Sequence, residues 1–528
     1  MDALYTAAQC RDLDRLAIER HGIPGHVLME RAGRAAFRAL LERWPEARSL
    51  SICCGRGNNA GDGYVVAGLA RRLGLDVQVL QVGDAGELTG DAARARDQAL
   101  AEGVEPVAAS AALRGDVIVD ALLGTGFRGE LRPPFAELVA RINAARLQYD
   151  SAPDGRHGVL AIDIPTGVEA DTGAVRGSAV HADLTVTFIG RKIGLYTGAG
   201  VACRGELRYA DLGVPSQLFR AIAGCPLLDF HEVAAAALPR RDANAYKQAL
   251  GHVVVAGGDH SMGGATLMAA EAALRVGAGM VSVITRAGHR PAILARRPEI
   301  MVVDADDLAQ RAAVFGRASC LVAGPGIGRA PWGRELLQQA LALQLPTVLD
   351  ADGLWWAAEL NLPPAGRGGD LVITPHAAEA ARLLGITTAE VAHDRPQCAL
   401  RLVERSGGIA VLKGAGSLIA GPAPAAGTRG GATAVTPALL GVCGHGNPGM
   451  ATAGMGDVLS GVIGGLLAQG LTATDAALLG VCLHSCAADK AVRRLGELSL
   501  LATDLLPEII ELLAAAQLGA APRGNAAP

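Results

Sequence analysis

A glycine-rich stretch from Gly444 to Gly465 contains residue types suited to phosphoryl chemistry. In the sequence GHGNPGMATAGMGDVLSGVIGG, closely spaced glycines lead to Asp457 and then to an apolar run that begins at Val458. A turn of small residues that opens onto a helix presents free N–H groups and the positive end of the helix dipole, which suits a bound phosphate. A carboxylate beside that phosphate can act as a base or as a metal ligand. The alternative interpretation is a plain glycine turn in which Asp457 caps the helix.

A second polar glycine loop, GRGNNAGDG at Gly55–Gly63, follows an apolar run that is typical of a strand. Its glycine spacing fits the dinucleotide-binding fingerprint loosely, and Asp76 lies at about the spacing of a ribose-binding carboxylate. That match is weak by itself. The loop also contains Asn58, Asn59 and Asp62, polar groups that an ordinary tight turn does not require.

Two further apolar runs, DVIVDALL at 116–123 and VLAIDI at 159–164, also end in polar glycine loops. In an open parallel sheet, ligands bind outside the carboxyl ends of the strands. The oxygen-bearing residues that fall at such ends in this half of the chain are Asn59, Asp62, Asp120, Asp163 and Thr166. We therefore expect them to share one site, with Lys192 in the same band of loops. Any one of them could instead cap a helix or complete a turn.

A fresh alternation of strand-like and helix-like segments begins at His252. Several of its predicted strands end in glycine, aspartate or histidine, as in GPGIG at 324–328, DAD at 350–352, TPH at 374–376 and KGAGS at 413–417. The ligand edge of a second parallel sheet is thus predicted to face the turn that contains Asp457. There is no GxxxxGK[ST] motif, which excludes a Walker-type kinase.

Length, charge and composition limit the remaining choices. A chain of 528 residues predicts two or three domains. The net charge of −4, without a basic run interleaved with aromatics, argues against nucleic acid as a partner. Cys482, His484 and Cys486 have helical spacing, which we interpret as core packing rather than as a zinc site. We find no secretory signal and no membrane span, so we expect a soluble, cytoplasmic protein, and we also expect a homo-oligomer.

With these motifs in place, the chain resembles the bifunctional NAD(P)H-hydrate repair enzymes over nearly its whole length. The first half carries GRGNNAGDG, VDALLGTGFRG, IDIPTG and GRKIG, and the second carries GPGIG, LDADGL, TPHAAE, LKGAGS and NPGMATAGMGD. The resemblance implies an α/β protein of two three-layer α/β/α domains, the first Rossmann-like and the second ribokinase-like. The regularity of the pattern is lost between Val214 and Leu238, where we place the boundary. We expect an epimerase domain at 1–213, a linker at 214–235, a dehydratase domain at 236–518 and a disordered tail at 519–528.

The resemblance also implies the residues of each site. In the first domain it places the hydrated dinucleotide (NADHX or NADPHX) on Asn58, Asn59, Ala60, Gly61, Asp62, Gly124, Thr125, Gly126, Phe127, Arg128, Gly129 and Asp163. It places a potassium ion on Asn59, Asp120 and Thr166. In the second domain it places the hydrate on Ala265, Gly326, His376 and Asp457, and ADP on Lys413, Gly414, Ala415, Gly416, Ser417 and Gly456. Magnesium is expected with the ADP. The family more often has glycine at position 60 and serine at position 166, and no motif explains the segment Gln148–His157.

The implied chemistry agrees with these residue types. Phosphorylating the hydroxyl on carbon 6 of a hydrated nicotinamide would turn it into a leaving group, which the ring nitrogen could then expel. Asp457 is the expected base for that hydroxyl, and the N–H groups of Met455, Gly456 and Asp457 are the expected donors to the phosphoryl group. In the epimerase, we expect Asp163 to act on the water that leaves and returns, with Lys192 as a second proton-handling residue.

Two other functions remain open at this stage. The chain could be a nucleotide-sensing or scaffold protein whose first domain has lost catalysis. It could also join a ribokinase-like small-molecule kinase to a non-catalytic nucleotide-binding module. An assay with hydrated NADH and either ADP or ATP distinguishes these alternatives.

Overall fold

The computed structural model describes residues 2–150, 155–361, 370–423 and 436–520. The chain divides into two compact units, the first formed mainly by Asp2–Cys225 and the second mainly by Pro226–Val391 and Arg395–Pro528. Part of the predicted segment 148–157 lies outside the described residues, as does the predicted tail from residue 521 onward. Residues 519 and 520, which the sequence assigns to the tail, belong to the last helix.

The first unit is built on a parallel sheet whose strands follow the order β4-β3-β2-β5-β6-β7-β9. These strands are β2 (Ser49–Cys54), β3 (Asp76–Gln81), β4 (Pro106–Ala108), β5 (Val117–Ala121), β6 (Gly158–Ile162), β7 (Leu184–Phe188) and β9 (Glu206–Ala210). The short strands β1 (Ala3–Tyr5) and β8 (Arg191–Lys192) pair in parallel with each other, and β10 is Cys225–Pro226. The helices are α1 (Ala7–His21), α2 (Gly25–Arg43), α3 (Asn58–Arg72), α4 (Gly90–Ala101), α5 (Phe135–Asp150), α6 (Ala199–Cys203) and α7 (Ser216–Ala221). Short 3₁₀ turns occupy Ala85–Glu87 and Ile193–Leu195.

Side chains of a strand alternate between the two faces of a sheet. Because both sets are apolar here, helices cover both faces of this sheet. Ile52 and Cys54 pack on the side of α1 to α4, whereas Cys53, between them, packs on the side of α5. Strands that are buried on both faces have continuous apolar sequences, so the central strands could be predicted from the sequence. The predicted three-layer α/β/α architecture is confirmed for this unit.

The second unit is built on a sheet in the order β13-β12-β11-β14-β15-β16-β17-β18-β19. Its strands are β11 (His252–Ala256), β12 (Met280–Thr285), β13 (Met301–Asp304), β14 (Cys320–Ala323), β15 (Thr347–Leu349), β16 (Leu371–Ile373), β17 (Ile409–Leu412), β18 (Ser417–Pro422) and β19 (Pro437–Cys443). Pairing is parallel from β13 to β17 and antiparallel from β17 to β19. This antiparallel edge was not predicted.

The helices of the second unit again form layers on the two faces of the sheet. They are α8 (Phe230–Ala237), α9 (Gly263–Arg275), α10 (Arg290–Arg296), α11 (Leu308–Phe315), α12 (Pro331–Ala342), α13 (Asp352–Glu359), α14 (Ala377–Leu384), α15 (Thr388–His393), α16 (Arg395–Ser406), α17 (Met455–Ala468), α18 (Ala473–Leu495) and α19 (Leu505–Ala520). Short 3₁₀ turns lie at Ala287–His289, Pro448–Met450 and Ala502–Asp504. The core on one face joins β11, β14 and β17 to α9, α17 and α18.

The segment 214–235, predicted as a linker, contributes side chains to both cores. Val214 and Leu218 are buried in the core of the first unit. Leu228 and Phe230 are buried in the core of the second. Two short helices, α7 and α8, form there because the prolines at 215, 226 and 239 fall outside them.

Candidate active sites

A cavity of about 530 Å³ opens in the first unit, at the carboxyl ends of the parallel strands. It lies between the loops that follow β2, β5, β6 and β7 and the helices α1 and α2. The sequence-predicted residues that line it are Asn58, Asn59, Asp62, Gly124, Thr125, Gly126, Phe127, Asp163 and Lys192. Residues from four separate stretches of sequence therefore meet at one cavity.

Four predicted substrate-binding residues lie away from the cavity lining. Ala60 and Gly61 are buried within the first turn of α3, and the Cα of Gly61 faces Met29. The exposed side chain of Arg128 forms an ion pair with Asp171. The N–H of Gly129 donates to Glu169 at 2.9 Å. In this structure these residues position the loops, and they do not face the cavity.

Asp163 and Lys192 form a buried ion pair on one wall of the cavity. The Lys192 ammonium also donates to the Thr187 hydroxyl and to the Phe188 carbonyl, each at 3.0 Å. Burial lowers the pKa of Lys192, but Asp163, Cys10 and Asp14 together outweigh burial and raise the pKa above its ordinary value. Lys192 is therefore a fixed cation against the Asp163 carboxylate.

The backbone around this pair is strained. Asp163, Ile189 and Leu212 all line the cavity and have left-handed φ values of 67°, 55° and 55°. Such conformations are rare for residues other than glycine, above all for a β-branched residue such as Ile189. Strain of this kind is common at functional sites, where the surrounding structure holds it in place.

Other carboxyl groups share the cavity with the ion pair. Asp62 is half-buried, and burial, together with the nearby Asp163 and Asp14, raises the pKa of Asp62 well above its ordinary value. Asp14 and Cys10 are one helical turn apart on α1 and also line the cavity. Sequence reasoning missed these two residues, because nothing in the helical pattern of α1 indicates that it covers the strand ends.

Asn59, Asp120 and Thr166, the predicted potassium ligands, lie together beneath the cavity. Asp120 Oδ1 accepts from the Thr166 hydroxyl at 2.7 Å and Oδ2 accepts from the Thr166 N–H at 2.7 Å. Asn59 Nδ2 donates to the Leu123 carbonyl at 3.3 Å, and that carbonyl oxygen lies 3.4 Å from Thr166 Oγ1. Burial raises the pKa of Asp120 to about 6. The cluster joins the start of α3, the end of β5 and the loop after β6 around the Leu123 carbonyl and a single buried carboxyl group.

Asp76, the weak candidate for a ribose partner, does not reach the cavity. It is the first residue of β3, where it pairs with Ser49. It therefore lies at the amino end of the strand, opposite the ligand edge. The polar residue at the carboxyl end is Gln81, which donates to the Gly55 carbonyl at 2.6 Å.

In the second unit, Lys413 and Asp350 form an ion pair at the start of α17. Lys413 Nζ lies 2.8 Å from Asp350 Oδ1 and 3.9 Å from Glu379 Oε2. A Cβ atom at Gly456 would lie only 3.2 Å from Lys413 Nζ and 3.2 Å from Asp350 Oδ2. Glycine at 456 thus allows the helix turn to approach the ion pair closely.

Asp457 lies in the first turn of α17, which follows the left-handed Gly454 with a φ of 90°. The first N–H groups of a helix have no partner within it, so those of Met455, Gly456 and Asp457 are available to a ligand. Burial raises the pKa of Asp457 to about 7, and the negative charge of Asp350 adds to this while Lys413 opposes it. This carboxyl group therefore titrates near neutral pH, as suits a general base.

His376 caps α14 with its side chain. Its Nδ1 accepts from the N–H groups of Ala378 at 3.1 Å and of Glu379 at 3.3 Å. Burial and then Lys413 lower the pKa of His376, so the ring is neutral. Burial raises the pKa of Glu379 to about 7. Asp350 and Glu379 were not predicted as site residues, although both lie within motifs that the sequence displays.

Gly326 and Ala265 lie beside each other at the same carboxyl edge. A Cβ atom at Gly326, whose φ is 60°, would lie 3.2 Å from the Ala265 side chain and 2.7 Å from the Met262 carbonyl. Both follow strands, β14 and β11, that are neighbours in the sheet. Glycine at 326 therefore lets this loop pack closely against the loop and helix that follow β11.

The predicted nucleotide loop, Lys413–Ser417, connects β17 to β18. The N–H of Lys413 donates to the Pro375 carbonyl at 2.9 Å, and Ser417 Oγ donates to the Gly414 carbonyl at 3.3 Å. The buried Arg395 guanidinium donates to the carbonyls of Lys413 and Gly416 at 3.4 Å. Gly414, Ala415 and Gly416 have no side chains beyond Cβ, so the backbone of the loop is its main binding surface.

Two family models match separate parts of the chain. Residues 253–511 match a family model described as NAD(P)H-hydrate dehydratase. Residues 25–194 match a model described as YjeF-related protein N-terminus. A ribokinase-like superfamily protein of Enterococcus faecalis aligns with 27% identity and a TM-score of 0.48, covering 55% of this chain and 96% of that one.

Relatives align with both units at once. The chain is 47% identical to the bifunctional NAD(P)H-hydrate repair enzyme Nnr of Coxiella burnetii, over 96% of this chain and 99% of that protein. It is 40% identical to the enzyme of the same name from Escherichia coli, over 95% of this chain and 92% of that protein. The chain therefore belongs to the family of bifunctional NAD(P)H-hydrate repair enzymes.

Proposed function

We propose that this protein repairs hydrated NADH and NADPH through two activities on one chain. The first unit epimerises the R and S hydrates, and the second dehydrates the S hydrate at the expense of ADP, yielding NAD(P)H, AMP and phosphate. The observation that carries the proposal is that the chain aligns over nearly its full length with repair enzymes of that name, at 47% and 40% identity. Each unit also places carboxyl groups and a lysine at the carboxyl edge of its sheet.

Epimerisation needs an acid and a base at the same cavity. The environment of Asp62 favours its protonated form, whereas Asp163 lies against the Lys192 ammonium. Paired carboxyl groups whose surroundings differ in this way can divide the two roles. Asp62 gives a proton to the leaving hydroxyl on carbon 6, so that water departs and an iminium ion remains. Asp163 stabilises that cation and takes a proton from water as it adds to the other face.

Dehydration uses the first turn of α17. Asp457 removes the proton from the hydroxyl on carbon 6 while that oxygen attacks the β-phosphoryl group of ADP, and AMP leaves. The N–H groups of Met455, Gly456 and Asp457 hold the transferring phosphoryl oxygens together with Lys413. The lone pair of the ring nitrogen then expels phosphate to give an iminium ion, and loss of a proton from carbon 5 to water or to the departing phosphate restores the reduced nicotinamide. Gly326, Ala265 and His376 border the hydrate, and the Lys413–Ser417 loop binds the nucleotide.

A potassium ion fits the cluster beneath the first cavity. The Asp120 carboxylate lies 2.7 Å from the Thr166 hydroxyl, and Asn59, through its amide nitrogen, and Thr166 both contact the Leu123 carbonyl. Asn59 would offer its amide oxygen to the ion. Hard oxygen ligands with one negative charge suit a monovalent cation better than zinc or magnesium. The ion would neutralise Asp120 and fix the three loops against the phosphates of the dinucleotide.

Magnesium is proposed only as a companion of the nucleotide. The described ranges contain no group of three acidic, histidine or cysteine side chains able to hold a metal ion. Magnesium bound through substrate phosphates and few protein ligands fits that arrangement, and no step above depends on it.

The cytoplasmic location remains part of this proposal. None of the ten cysteines takes part in a disulfide bond, as expected in a reducing compartment. In the described part of the chain, no helix combines the length and apolar character needed to span a membrane.

The decisive experiment follows absorbance at the reduced nicotinamide band after mixing the purified chain with hydrated NADH. Recovery of absorbance with ADP, for both epimers, is the expected result. Phosphorylation of another small molecule without recovery of NADH would instead favour a ribokinase-like kinase. Binding of the hydrate without any turnover would favour a nucleotide-sensing protein.

A further inference from the structure

Asp350 lies at the centre of the second site, although no step above assigns it a role. It follows β15 directly and is buried. Its Oδ1 accepts from Lys413 Nζ at 2.8 Å and its Oδ2 accepts from Ser460 Oγ at 2.6 Å. Ser460 Oγ also lies 2.8 Å from the Gly456 carbonyl oxygen. One carboxylate thus connects the end of β15, the end of β17 and the first turn of α17.

The contacts of Asp350 keep it ionised despite its burial. Burial by itself would raise the pKa of Asp350, but Lys413 and the hydroxyls of Ser460 and Thr374 outweigh it and lower the pKa below its ordinary value. A buried carboxylate with these partners is a fixed negative charge.

The same contacts determine where the Lys413 ammonium lies. It is held against Gly456, since a Cβ atom there would lie 3.2 Å from Lys413 Nζ. The free N–H groups of this turn and the ammonium can therefore act on the same phosphoryl oxygens. Without Asp350, the long lysine side chain would lose its nearest anchor in this position.

We propose that Asp350 is a positioning residue for dehydration, which holds Lys413 at the first turn of α17 beside Asp457. Asp350 acts through these two residues and does not touch the substrate. The inference deepens the proposed function and rests on it.

The charged and titratable groups around Asp457 determine the sign of the expected effect. Asp350 raises the pKa of Asp457 and Lys413 lowers it. From α14, Glu379 lies 3.9 Å from Lys413, and His376 caps the same helix. From α18, His484 is neutral, because burial lowers its pKa to about 4. Asparagine at position 350 keeps a side-chain oxygen that can still accept from Lys413, but it removes the negative charge, so the pKa of Asp457 should fall.

The test measures ADP-dependent dehydration of S-hydrated NADH by the full chain as a function of pH. In Asp350→Asn, kcat should fall by about 10²-fold, the scale for misplacing an active-site group. The acid limb of its kcat profile should move to lower pH. Ser460→Ala removes a hydrogen bond but no charge, so its acid limb should stay in place. Lys413→Met should move the limb to higher pH, which tests the electrostatic argument even if Asp350→Asn does not fold.

A double-mutant cycle tests whether Asp350 acts through Lys413. The variant with both substitutions should have little less activity than Lys413→Met alone, since the partner is already gone. Additive losses, or an acid limb that stays in place in a folded Asp350→Asn protein, would overturn the inference. Thermal unfolding of the same chains, followed by calorimetry, reports whether the second unit is folded. Failure of the wild-type chain to use ADP would instead reject the proposed function, so the two failures are distinguishable.

Discussion

Asp457 combines the chemical role proposed for it with a cost to stability. Burial raises its pKa to about 7 from the ordinary 3.8. Between these two values the folded chain keeps a proton that the unfolded chain has lost, so stability falls as pH rises through that window. The ionised carboxylate that a general base requires is thus the less stable form in the fold. Such conflicts between stability and activity are common at active sites.

Replacing Asp457 with asparagine should therefore separate the two properties. Dehydration should fall by about 10²–10⁴-fold, the usual scale for loss of a general base. Thermal unfolding at pH values above 7 should occur at the same temperature as in the wild type or higher, because the buried charge is gone. Steady-state kinetics, ADP titration and calorimetry measure these effects. Turnover like that of the wild type would exclude Asp457 as the base.

The ion pair of Asp163 and Lys192 leads to a prediction about a buried charge. In Asp163→Asn, epimerisation should fall by about 10²–10⁴-fold. The Lys192 ammonium, only 2% exposed, would then lack its carboxylate, and breaking such a pair costs about 3–5 kcal/mol. Adding Lys192→Met should restore much of the stability without restoring activity. Chemical denaturation and an epimer-resolving assay check both outcomes, and full activity in the single variant would contradict the role of Asp163.

At the residue scale, sequence reasoning identified the polar groups that follow strands but not the contacts that unite them. The loops of Asn59, Asp163 and Lys192 were predicted to converge because parallel strands share a carboxyl edge. Asp14 and Cys10 were missed because the packing of α1 over that edge depends on tertiary contacts. Asp350 was visible in LDADGL, yet only the fold shows it beside Lys413.

At the scale of elements, central strands were easier to predict than edge strands. The runs that became β5 and β11 are buried on both faces and continuously apolar. The short strands β4 and β8 contain proline or charged residues and were not predicted. The antiparallel pair β18 and β19 was also missed.

The start of α3, the end of β5 and the loop after β6 meet at Asp120, Thr166 and the Leu123 carbonyl, so the potassium proposal concerns all three segments together. Asp120→Ala removes the carboxylate that accepts from both the hydroxyl and the N–H of Thr166. Epimerisation should then fall sharply and lose any dependence on potassium, while ADP-dependent dehydration of the S epimer stays unchanged.

Thr166→Ser keeps the hydroxyl and serves as the matched control, which should retain potassium-dependent activity. Assays in potassium and in a large organic cation, run on both variants, make the comparison. Equal loss of both activities in Asp120→Ala, or unaltered epimerisation, would count against the ion site.

At the scale of the whole molecule, two sets of strands and loops predicted two domains, and the family confirms two activities in one chain. The position of the boundary was harder to predict. Prolines and lost periodicity indicated a linker at 214–235, but apolar side chains in that segment are buried in both cores. Burial of isolated side chains leaves no periodic signal in so short a segment. The expected homo-oligomer stays a prediction, which light scattering of the purified chain would test.

The two activities should separate when the chain is divided between Cys225 and Pro226, where the compact units meet in sequence. The first fragment should interconvert the epimers without ADP, and the second should dehydrate only the S epimer with ADP. A fragment that starts at Leu238 is the matched comparison, because it lacks the buried Leu228 and Phe230. Each such side chain contributes about 1.5–3 kcal/mol when buried, so this shorter fragment should unfold at a lower temperature. If the fragments divided at Cys225 were inert apart yet active when joined, the units would depend on each other for folding or catalysis.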